Sequence, residues 1–157
     1  MKTAALAALT LSTFALAAAP ARAEDHFSWR SIEGLIQPGN VVDGISGGGQ
    51  PWTTQGGEAS VDLRTGEVEF DVRGLVLAGG NTIGTPGAIA SVMATIAYGT
   101  GAVAFGPPVP LSAQGEAHFE GIITPPPGCS SANIAFLVSI SASPSNRWIA
   151  NGAVRRP

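Results

Sequence analysis

Backbone breakers set the first limit on what this chain can fold into. It holds 21 glycines and 12 prolines in 157 residues, and all of them except Pro20 lie beyond residue 23. Both residue types weaken helix interiors, so breakers recurring at roughly ten-residue intervals favour short strands joined by turns. Between the breakers, apolar and polar residues alternate. In Glu67–Arg73 (EVEFDVR), Val68, Phe70 and Val72 fall on one side, and Glu67, Glu69, Asp71 and Arg73 on the other. A period of two describes a strand with one dry and one wet face. Residues 59–63 precede it across Arg64-Thr65-Gly66, a short connection suited to an antiparallel hairpin. Sliding that pair by one residue would bury the acids, which fixes its register.

Other segments follow the same logic. Residues 89–98 (IASVMATIAY) and 102–105 (AVAF) are apolar, and mostly small or β-branched. Residues 116–124 alternate, with Ala117, Phe119, Gly121 and Ile123 on one face. Residues 133–140 (NIAFLVSI) read as a strand buried on both sides. Residues 147–154 close the chain, and residues 26–36 contribute Phe27, Trp29, Ile32 and Leu35 near its start. Residues 44–57 (GISGGGQPWTTQGG) read as a flexible loop carrying Trp52. The expectation is an all-β fold of about seven strands: an antiparallel β-sandwich, Ig-like or closed into a small barrel.

The N-terminus reads as an export signal. Lys2 gives a positive start, residues 4–19 form an Ala- and Leu-rich run, and Ala21-Arg22-Ala23 has the small-x-small form of a cleavage site. A membrane span needs about 20 strongly apolar residues, more than this alanine-rich helix offers. The expected organisation is a signal peptide over 1–23 and a single domain over 24–157, secreted or periplasmic, with no membrane span after cleavage. Beyond residue 23, six arginines face eleven carboxylates, a net of −5. Nucleic acid is disfavoured as a partner, because binding it needs clustered cations to displace counterions. Arg155-Arg156 reads as a solvated tail. Cys129 is the single cysteine, so a secreted chain leaves it free or bridged to another molecule.

The stretch Ala78-Gly79-Gly80-Asn81-Thr82-Ile83-Gly84-Thr85-Pro86-Gly87 raises the question of phosphate binding. Dinucleotide folds need G-x-G-x-x-G opening a helix, and phosphate loops need G-x-x-x-x-G-K-[ST]. This stretch has neither spacing, holds no lysine and runs into strand formers, so its glycines and Pro86 serve a turn.

Few residues suggest chemistry. On a strand, Glu116, His118 and Glu120 share one face, a short array of metal-ligand types for zinc or copper. The competing interpretation is a solvated polar face opposite Phe119. His26 is the other histidine, and nothing in the sequence brings it to His118. No G-x-S-x-G nucleophile elbow occurs. Glu67, Glu69 and Asp71 line a wet strand face rather than the apolar pocket that raises a catalytic acid's pKa. Trp52 and Trp148 are candidate ligand-groove residues, with core packing as the alternative. No cofactor is implied.

Several stretches carry a family likeness. GLVLAGGNTIGTPG (74–87), VPLSAQGEAHFEG (109–121), IAFLVSI (134–140) and RWIANGAVR (147–155), together with GGGQPWTT (47–54) and the region of Cys129, resemble small exported bacterial all-β proteins. That resemblance spans nearly all of residues 24–157 and brings no assigned activity, cofactor or catalytic residue. It implies a cysteine where this chain has Tyr98, placed to pair with the position of Cys129. On that basis the chain lacks a bridge worth roughly 2–4 kcal/mol and holds its fold by packing.

The function expected is that of a secreted, non-enzymatic module in a binding or structural role toward an extracellular or envelope ligand. Its recognition surfaces would be the turn at Gly79 to Gly87 and the Trp52 loop, since loops on a rigid scaffold carry recognition. Two alternatives stand: a metal-dependent or hydrolytic enzyme centred on His118 with Glu116 and Glu120, or a carrier with an apolar cavity built from Phe119, Phe136 and Trp148.

Overall fold

The computed structural model describes residues 25–99, 101–126, 133–141 and 146–155. The expected signal segment, Cys129 and Arg156 lie outside the described residues. Among those described, the chain forms thirteen strands and no helix: β1 (His26–Gly34), β2 (Val41–Val42), β3 (Ile45–Ser46), β4 (Trp52–Thr53), β5 (Gly56–Asp62), β6 (Glu67–Arg73), β7 (Val76–Leu77), β8 (Ser91–Tyr98), β9 (Ala102–Phe105), β10 (Val109–Pro110), β11 (Ala117–Ile122), β12 (Ile134–Ile140) and β13 (Trp148–Arg155). Nine join one antiparallel sheet in the order β10-β8-β12-β13-β1-β5-β6-β11, with β9 also paired to β8. The pairs β2–β3 and β4–β7 stand apart from it.

That sheet curls on itself. Four strand-to-strand steps separate β12 from β6, about 19 Å if the sheet were flat. Yet the ring centroids of Phe136 and Phe70 are 5.6 Å apart. Trp29 lies 5.8 Å from Phe136, and Phe119 lies 6.3 Å from Phe70. Side chains from β1, β6, β11 and β12 therefore meet in one aromatic core, and this barrel-like curl is the form the all-β expectation takes. The Trp29 ring packs closely over Gly152, where an added Cβ would sit 2.7 Å from Trp29 Cγ.

Two halves of the sheet differ in kind. In β5, β6 and β11 the buried side chains alternate with wet ones: Ala59 and Val61, then Val68, Phe70 and Val72, then Ala117 and Phe119 face the core. The hairpin register, Ala59↔Phe70 and Val61↔Val68, is the one that keeps the acids in water. In β8 and β12 both faces are buried along most of their length. The face of these strands opposite Phe136 holds Thr95 and Ser139, both fully buried, and Thr95 Oγ1 donates to Ser139 Oγ at 2.9 Å. One level along, the hydroxyls of Ser91 and Ser141 are hydrogen-bonded. Tyr98 is also fully buried, at the end of β8 opposite Ile134.

Nine sheet strands replace the seven or so expected. Part of the excess is one edge strand split in two. β9 and β10 both lie on β8, on either side of Gly106-Pro107-Pro108, where the prolines have no N–H to donate. The expectation of a flexible loop over residues 44–57 also needs correction. This segment holds β3, β4 and the start of β5, and backbone bonds tie it down: Gly47 to Asn40, Gly48 to Trp148 and Trp52 to Leu35. Two-residue pairings have no periodicity to read, so sequence pattern does not reveal them.

Candidate ligand-binding groove

The groove sits at one end of the curled sheet, where two loops meet. The first, leaving the β2–β3 hairpin, brings Gly48, Gly49 and Gln50 past Trp52. The second is the glycine turn. Gly80, Gly84 and Gly87 all take positive φ (85°, 79° and 62°), as expected of a turn. Leu77 N–H donates to Thr85 O, Gly84 N–H to Leu77 O, and Thr85 Oγ1 to Thr82 O, so the turn closes on itself and on β7. Ala78 N–H donates to Pro51 O, which joins the two loops.

Between them lies a depression of about 490 Å³, lined by Trp52, Leu77, Pro86, Ile89 and Ile140 with Gln50, Thr82 and Thr85 at polar positions. None of its lining residues carries a charge. Its floor belongs to the core: Trp52 and Leu77 are each only 4% exposed. Ile83, in the glycine turn, is 62% exposed.

The tryptophan candidates thus part ways. Trp52 lines the groove. Trp148 is buried beside it, and its indole Nε1–H donates to Ile45 O at 3.1 Å, which pins the β2–β3 hairpin to β13. Phe119 and Phe136, the other two carrier candidates, flank Phe70 in the aromatic core.

The histidine and carboxylate candidates occupy a different surface, the outer face of β1, β5, β6 and β11. Strand pairing sets His26 opposite Asp62, Ser60 opposite Glu69, Glu69 opposite Glu120, and Asp71 opposite His118. His26 and His118 share this face but stand on its outermost strands, three steps of about 4.8 Å apart. His118 and Glu120 lie on the exposed face of β11, while Glu116 precedes the strand. Among the described residues, no three His, Cys, Asp or Glu side chains are grouped to hold a metal. Two shallow depressions of about 270 and 350 Å³ meet at His26, Ser60 and Glu69. His26, Glu58, Glu67, Glu69 and Glu120 in their lining are exposed, and the ion pairs at this face, Arg73–Asp71 at 3.8 Å and Arg64–Asp62 at 3.9 Å, are long and solvent-accessible, of the kind that contributes little. Asp62 has a lowered pKa. The Thr65 backbone N–H, aided by that of Arg64 and by the Arg64 charge, holds its carboxyl below the usual value.

Leu77, Ile89 and Ile140 joined the groove without any sequence signal, because they come from three separate segments and look like ordinary strand residues. The two loops that frame it did carry a signal, in their glycines and in Trp52.

No family model, curated protein or solved structure matches this chain.

Proposed function

We propose that the protein is a non-catalytic binding module of the cell envelope or exterior, taking an uncharged, largely apolar ligand in the groove between the Trp52 loop and the glycine turn. The observation that carries this reading is the convergence of those loops on an uncharged depression whose floor is fixed by the core. A site of this shape, mostly apolar with a few polar groups, is the usual form of a small-molecule pocket. The polar groups, Gln50, Thr82 and Thr85, offer hydrogen bonds without attracting either sign of charge. The export signal and the likeness to small exported bacterial proteins agree with this location and assign no activity.

The test uses a neutral fluorescent apolar dye, N-phenyl-1-naphthylamine, with the purified chain. A Cβ added at Gly49 meets nothing within 4 Å, so Gly49→Trp should plug the groove while leaving the fold in place. Saturable dye binding that weakens about tenfold in Gly49→Trp, a change of about 1.4 kcal/mol, supports the reading. Absence of saturable binding, or binding indifferent to the plug, overturns it.

A further inference from the structure

The sequence segregates charge in a way the fold turns into a surface. Residues 74–115 contain no Asp, Glu, Lys, Arg or His, and neither do residues 121–146. These segments supply β8, β9, β10 and β12, which neighbour one another in the curled sheet, so that part of the sheet is charge-free. Most of the charged residues gather on β1, β5, β6, β11 and β13.

Open sheets must also manage their edges, because an unpaired row of N–H and C=O groups invites another strand. The usual guards are charged side chains, prolines and bulges. β11, at one end of the sheet, carries His118 and Glu120 on its exposed face. β10, at the other, contains Pro110 and follows Pro107 and Pro108. β9 has none of these guards. Its sequence is Ala-Val-Ala-Phe, its one partner among the described strands is β8, and Phe105 is 42% exposed beside half-buried Val103.

We propose that β9 is a self-association edge: a second copy of this chain pairs with it, antiparallel and two-fold, through residues 102–105. The charge distribution selects the occupant. Each copy is net negative, −3 at pH 7, so two copies repel wherever their charged faces meet. The charge-free part of the sheet is where they approach without that penalty. An isologous pairing places β9 against its own equivalent, extends the sheet across both copies and covers both Phe105 rings. A four-residue ladder buries far less than the roughly 1,200 Å² of a standard stable interface, so the association is weak and reversible. This proposal is independent of the groove.

Sedimentation equilibrium of the purified chain tests it, alongside amide exchange at low and high protein concentration. The expected result is a reversible dimer whose dissociation constant rises about tenfold or more in Phe105→Lys and in Val103→Lys. In the wild type, amides of residues 102–105 should exchange more slowly as concentration rises. Cys129→Ser and His118→Ala should leave the dimer in place. Overturning results are a monomer at every concentration with β9 exchange independent of concentration, a dimer that both lysine variants retain, or one lost in Cys129→Ser, which would mark a disulfide bridge instead.

Discussion

The half of the sheet made by β5, β6 and β11 and the half made by β8 and β12 solve the same problem with opposite sequence styles. In the first, most outward positions are polar or charged, in β6 every one of them, and Val68, Phe70 and Val72 have one way to face the core. In the second, charge is absent and both faces are buried, so no alternation is required. The charged half obtains its register from the cost of burying an acid. The charge-free half obtains its register from packing and from pairs such as Thr95 with Ser139. The lesson is that where polarity does not orient a strand, a few buried hydroxyls and close-packed rings must.

That contrast can be broken or sharpened by substitution. The largest effect is expected at Phe136, whose ring lies between Trp29 and Phe70. Phe136→Ala should cost about 3–5 kcal/mol in urea unfolding, against less than about 0.5 kcal/mol for Glu69→Ala on the wet face. Gly152→Ala comes next. Its new methyl would collide with the Trp29 ring at 2.7 Å, and chemical denaturation should report a loss of about 1–3 kcal/mol.

Thr95 and Ser139 test whether hydroxyl pairing specifies the charge-free half. Thr95→Val strands the Ser139 hydroxyl in the interior and should cost about 1–3 kcal/mol, whereas the double change with Ser139→Ala should recover part of that loss. Simple additivity in the cycle would show that the hydroxyls act separately.

The smallest effect is on the charged half. Asp62 has a folded pKa below its unfolded value of 3.8, so its contribution is present above that value and is lost as pH falls through the lower folded pKa. Asp62→Asn should flatten the acid limb of a stability profile measured across that window, because the variant lacks at neutral pH the small contribution that the wild type has there and loses in acid.

The same contrast explains what the sequence made legible. Glu67–Arg73 and Ala102–Phe105 were readable to the residue, and β11 and β12 to within two, because alternation or a bounded apolar run marked each one. β1 was harder. Phe27 and Trp29 point inward at a spacing of two, but the next inward residue is Ile32, a change of parity at the level of Val154, whose φ is 51°. The short pairings β2–β3 and β4–β7 left no mark, since two residues carry no period. The site followed the same rule. Glycines and Trp52 announced the framing loops, while the groove's walls at Leu77, Ile89 and Ile140 arise only when distant segments meet. His118 with its flanking glutamates drew attention through residue type, yet among the described residues no three such side chains are grouped to hold a metal.

Native-state amide hydrogen exchange tests the central claim most directly, namely that the charge-free strands, buried on both faces, form the rigid centre and the charged strand β11 an outer layer. Amides of Ala94, Ile96, Phe136 and Val138 should exchange only through global unfolding, with a free energy equal to that from denaturant. Ladder amides of β11 around Phe119 should open locally, several kcal/mol more easily. Equal protection in β11 and β8, or local opening of β8 and β12 ahead of β11, would contradict the account.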